Sequence, residues 1–109
     1  MLFRLSTFGK DEFFTVRLCS NEAAYDVNPR KRVLLDLSKL KDCSSEGIEV
    51  ILQTRPIAVL KLAGRIEATV ARNGRLVIRH VKDEHDASEI AENLYSVLQR
   101  LGSIRYINW

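Results

Sequence analysis

Apolar residues in the second half of the chain follow two rhythms. From Ile66 to Ile78 they recur at alternate positions, and from Ala87 to Leu101 at steps of three and four. Period two belongs to a strand with one buried face, and the three-and-four step to the stripe of an amphipathic helix. Asn73-Gly74 interrupts the first run and is a strong hairpin signal. A two-residue loop puts Ala68 on the side of Arg79 and Thr69 on the side of Ile78, so both faces are mixed. A three-residue loop, Arg72-Asn73-Gly74 with Gly74 left-handed, pairs Ala71 with Arg75. Ile66, Ala68, Val70, Leu76, Ile78 and His80 then share a core face. Arg65, Glu67, Thr69, Ala71, Arg75, Val77, Arg79 and Val81 share the other, with Glu67 opposite Arg79. Burial of one face fixes register, which favours the longer loop.

The helix starts at Asp83, a good N-cap, and Glu84, Asp86 and Glu89 complement its positive end. Ala87, Ile90, Ala91, Leu94, Val97, Leu98 and Leu101 form its core stripe, and Gly102 follows as a C-terminal stop. Upstream, Leu2–Phe8 and Glu12–Leu18 predict a hairpin around Gly9-Lys10-Asp11, with Phe3, Phe8, Phe13 and Phe14 as aromatic core. Ser20–Arg32 is polar, contains Asn28-Pro29 and reads as a loop. Val33–Leu37 predicts a buried strand. Ser44 or Ser45 caps a short helix to about Gln53 with Ile48, Ile51 and Leu52 inward, stopped by Pro56. Ile57–Ala63 suits a central strand with a turn at Gly64, and Ile104–Trp109 a last short strand. The expectation is an α+β fold, an antiparallel sheet with the long C-terminal helix on one face. It forms one domain over 1–109, with an N-terminal hairpin in 1–19 and a β-α-β-β-β-α core in 33–102.

Charge changes this picture. Residues 55–82 hold seven Lys/Arg and one acid, whereas 83–102 hold five acids and one Arg, within a chain of net charge +3. A basic sheet backed by an acidic helix marks the sheet face away from the helix as the side that meets a partner. The candidate surface is Arg65, Thr69, Arg72, Arg75, Val77 and Arg79, with Arg30, Lys31 and Arg32 as a secondary basic cluster.

The candidate chemistry is sparse. Cys19 and Cys43 match no zinc spacing and read as reduced core thiols. Asp83, Glu84, His85 and Asp86 fit helix capping better than metal binding, so no metal or other cofactor is expected. His80 reads as a half-buried structural histidine and His85 as a solvated one. No acid, base or nucleophile set converges, which argues against an enzyme. No membrane-length apolar run or leader is expected, and the location implied is cytoplasmic.

Asn73-Gly74-Arg75-Leu76-Val77-Ile78-Arg79-His80-Val81-Lys82-Asp83-Glu84, continuing to Val97-Leu98-Gln99-Arg100-Leu101-Gly102, resembles one repeat of the TATA-box-binding protein family. The resemblance spans roughly Val33–Gly102 and implies a half-saddle whose open sheet face is the binding face. In that family the face wedges phenylalanines into the DNA minor groove. The matching wedge position here is Ala71, and Arg79 and His80 replace an expected threonine and glycine, so TATA-type kinking is not implied. A second stretch, Leu34-Leu35-Asp36-Leu37-Ser38-Lys39-Leu40 followed by Cys43-Ser44-Ser45-Glu46-Gly47-Ile48, is similar to the core of STAS domains, the anti-sigma-factor antagonists. That resemblance implies an α/β regulatory protein-interaction domain with Ser45 at the phosphorylatable position and a helix over Arg65–Arg72.

The reading favours a small non-enzymatic binding domain. Its basic sheet face, half apolar through Ala71, Val77 and Val81, serves a protein interaction or homodimer. Nucleic-acid binding through the same face is the alternative.

Overall fold

The computed structural model describes residues 10–19, 24–62 and 64–106. In chain order its elements are β1 (Phe14–Cys19), β2 (Ala24–Pro29), β3 (Val33–Leu35), a 3₁₀ helix (Leu37–Glu46), β4 (Ile48–Gln53), β5 (Ile57–Leu62), β6 (Ile66–Ala71), β7 (Leu76–Arg79), α1 (Glu84–Arg100) and β8 (Ile104–Tyr106). Six strands form one antiparallel sheet in the order β1-β2-β7-β6-β5-β4, and β3 pairs with β8 in a separate ribbon. The fold is α+β, with α1 packed on one face of the sheet, across β1, β2 and β7, while the 3₁₀ helix packs against β4.

The β6–β7 hairpin has the register that one-face burial demands. Val70 pairs with Leu76, Ala68 with Ile78 and Glu67 with Arg79. The Ala71 amide donates to the Arg75 carbonyl at 2.8 Å, leaving Arg72-Asn73-Gly74 as the loop. Gly74 sits at φ +93°, and a Cβ there would run into Val33 Cγ2 and lie 2.9 Å from Pro29 Cγ. Only glycine supplies both the conformation and the room.

The core face carries Phe14, Val27, Ala58, Leu60, Ala68, Val70, Leu76 and Ile78, all fully buried. Against it lie Ala87, Ala91, Leu94, Val97 and Leu98 of α1. Asp83 caps this helix by accepting from the Asp86 amide at 2.9 Å, and Gly102 at φ +75° ends it, with the Ser103 amide donating to the Leu98 carbonyl. Tyr95, absent from the predicted stripe, is buried at its centre. Its hydroxyl donates to the Gly74 carbonyl at 2.6 Å and its ring meets Phe13 edge-on at 5.0 Å. One side chain thereby ties helix, hairpin loop and N-terminal segment together.

Ser20–Arg32 is not all loop, because Ala24–Pro29 is β2, inserted between β1 and β7. Its Tyr25 and Val27 alternate with Asp26 and Asn28, and Pro29 is tolerated as the last strand residue. The helix expected up to Gln53 is β4: Ile48 and Val50 face the core opposite Leu62 and Leu60. A bulge between Val50 and Leu52 then turns Leu52 outward opposite Val59, so Ile51 and Leu52, expected inward, are 51% and 49% exposed. The helical residues in this region come earlier, at Leu37–Glu46. Asp36 caps them, accepting from the Ser38 amide and hydroxyl, so Val33–Leu37 is a strand only through Leu35. His80 lies beyond the end of β7 at φ +67° and is exposed rather than on the core face. Both cysteines are free; Cys43 is buried as expected, but Cys19 is only half-buried on edge strand β1. The Arg65–Arg72 segment is strand from Ile66 to Ala71, which excludes the α/β alternative that needed a helix there. The predicted strand at Leu2–Phe8 and the last residues of Ile104–Trp109 lie outside the described residues.

Candidate interaction surface

β3, the 3₁₀ helix and α1 contribute buried side chains to the single core cluster, and Ile104 of β8 packs against it. On the second face of the sheet, among the described residues, Val59, Thr69 and Val77 stay half-buried and Glu49, Leu52, Lys61 and Arg75 exposed, while Ala24 at its β2 end is buried. Register places its side chains in rows that cross the strands. One row runs Arg79, Glu67, Lys61, Glu49 from β7 to β4, alternating in sign. The adjacent row runs Val77, Thr69, Val59, Leu52 and is apolar apart from one threonine hydroxyl. On the far side Asp26 follows Val77, with Arg17 beyond it on β1. Ala71 and Ile57 extend the apolar patch in the next row.

The six predicted residues are not all brought together. Thr69 and Val77 are direct partners at the centre, and Arg79 lies beside them opposite Glu67. Arg75 is on the same face, but its Nε donates to Asp26 Oδ1 at 2.6 Å, a pairing that raises the arginine's pKa and holds it charged. Arg65 and Arg72 sit beyond the two ends of β6. Arg65 lines an open cleft of ≈ 740 Å³ with Lys61, His80 and Lys82. Arg72 lines another of ≈ 580 Å³ with Arg55, Arg105 and Asp36 at the opposite end of the sheet. The positive charge of residues 55–82 is thus gathered at the sheet ends, while the centre is balanced by Asp26, Glu49 and Glu67. Asp26 and Glu49 arrive on β2 and β4, the two strands that sequence reasoning took for a loop and a helix. The alternation Tyr25-Asp26-Val27-Asn28 was the signal that could have placed the first of them.

The secondary cluster, Arg30, Lys31 and Arg32, is exposed between β2 and β3, and the Arg30 guanidinium donates to the Asp11 carbonyl at 3.0 Å. It is not continuous with the central rows. His85 is exposed on the first turn of α1, 3.3 Å from Glu89 Oε2. Among the described residues no helix is long and apolar enough to cross a membrane. No protein-family model, curated protein or solved structure matches the chain.

Proposed function

We propose that this is a small non-enzymatic binding domain whose uncovered sheet face docks on another protein surface. The observation that carries the reading is the central patch of Val77, Thr69, Val59 and Leu52, apolar and bordered by a charged row. An apolar centre with a polar rim is the anatomy of a protein interface. The same geometry favours protein over nucleic acid. Arg75 and Arg79 face carboxylates within the sheet, and no aromatic side chain lies in the central rows to stack a base. A non-catalytic role accords with His80 beyond the end of β7 and His85 on the outer side of α1, each exposed. The resemblance to a TATA-box-binding-protein repeat supports the reading, because such repeats also work through an open sheet face. A photo-crosslinking residue at Thr69 is expected to give protein adducts, and one at exposed Gln99 on α1 none. Equal yields from both sites would contradict the reading. A shift of duplex or single-stranded DNA that weakens with salt and is lost in Arg79→Ala would replace it with the nucleic-acid alternative.

A further inference from the structure

We infer that the occupant of the open face is a second copy of this chain, docked about a two-fold axis that runs along the strands between β5 and β6. This rests on the proposed role of the face and names its partner.

Arg79, Glu67, Lys61 and Glu49 alternate in sign across four neighbouring strands. A two-fold axis parallel to the strands lays such a row on its own copy, end for end. With the axis between the two middle strands, Arg79 meets the second copy's Glu49 and Glu67 meets its Lys61, so all four charges find the opposite sign. An axis lying along a strand instead sets like charges together, and an axis between any other pair of strands leaves row ends unmatched. Isologous contacts require this kind of self-complementarity.

The same axis treats the apolar row equally well. It brings Val77 onto the second copy's Leu52 and Thr69 onto its Val59, which covers Leu52, otherwise 49% exposed. Strands spaced about 4.8 Å apart put the inner charges roughly 2.4 Å and the outer ones roughly 7 Å from the axis. Facing sheets cross at about 30°, which displaces the outer partners by roughly 4 Å, a gap that an arginine side chain spans. An even, alternating row next to an apolar one is therefore a surface that fits itself.

The test is sedimentation of charge-segregated variants. Glu49→Lys with Glu67→Lys makes the row all positive, and Lys61→Glu with Arg79→Glu makes it all negative. The wild-type chain is expected to associate with rising concentration, each double variant to remain monomeric alone, and their equimolar mixture to form dimers. Like charges side by side weaken a sheet, so circular dichroism must show both variants folded. A second measurement does not depend on them. Val77→Cys and Leu52→Cys, each in a Cys19→Ser background, lie three strands apart and cannot bridge within one chain. A short bismaleimide should join the two in a mixture faster than it joins either with itself. A wild-type dimer whose mixed variants neither associate nor cross-link overturns the arrangement. A wild-type monomer at all concentrations, with Thr69 still cross-linking to a different protein, overturns the second copy and leaves the face as an interface. Loss of both overturns both.

Discussion

The two faces of the sheet are built from the same strands, yet among the described residues one is covered and the other open. On β5, Ala58 and Leu60 are fully buried in the core cluster, while the intervening Val59 is only half-buried. On β6 and β7 the same contrast holds between Val70 or Leu76 and Thr69 or Val77. Both faces carry β-branched residues in their central rows. What distinguishes them is that on the open face these residues border a row of alternating charge. Burial decides the fold on one side and leaves a surface of defined pattern on the other.

The contrast is sharpest in stability. Leu60→Ala should cost about 2–5 kcal/mol through lost burial and the cavity left behind. Its neighbour Val59→Ala should cost less than about 1 kcal/mol at dilutions where the chain is monomeric. Urea denaturation of the two variants checks the pair, and equal losses would mean that the second face is covered too.

Tyr95→Phe should come next, at about 1–3 kcal/mol, because it leaves the buried Gly74 carbonyl without its donor. Burial also pushes the Tyr95 phenol well above its ordinary pKa. A raised acid pKa in the folded state adds stability that is present below the unfolded value, about 10, and is lost as pH rises beyond it. Denaturation midpoints should therefore fall above pH ~10 in the wild type, and fall less steeply in Tyr95→Phe.

Asp26→Asn should cost less than about 1 kcal/mol, since Arg75 is about half exposed and its ion pair is screened. The variant also uncovers positive charge on the open face. It should elute later than wild type from a polyanion column at low salt, and unchanged elution would show that this face does not govern retention. The smallest effect concerns Asp36, whose carboxyl is held below the usual aspartate range chiefly by the Ser38 hydroxyl. A lowered carboxyl pKa contributes stability above the unfolded value, about 4, that is lost as pH falls further. Asp36→Asn should flatten acid unfolding slightly below that pH.

The closed face was largely legible in the sequence and the open one only in part. Alternation from Ile66 to Ile78 was enough to choose a three-residue loop and so to assign every residue of β6 and β7 to a side. The α1 stripe was equally plain, although Tyr95 was missed because its phenol looks amphipathic until Gly74 offers it an acceptor. Ile48-Glu49-Val50-Ile51-Leu52 fits a helix or a bulged strand, and a short apolar run does not decide between them. Asn28-Pro29 signalled a turn and hid the alternation before it. Those two strands bring Asp26 and Glu49 to the open face. A charge sum along the chain therefore read as basic a surface that pairing across strands makes balanced. Local sequence reports which side a residue takes, and its neighbours on that side depend on long-range pairing.

Self-association through the open face is read by sedimentation velocity of the wild-type chain beside Val59→Asp. A charge at the centre of the open face should abolish association while leaving the thermal unfolding of the monomer nearly unchanged. The wild-type sedimentation coefficient should climb with concentration and the Val59→Asp value stay flat. Two chains that sediment identically at every concentration would rule out association through this face.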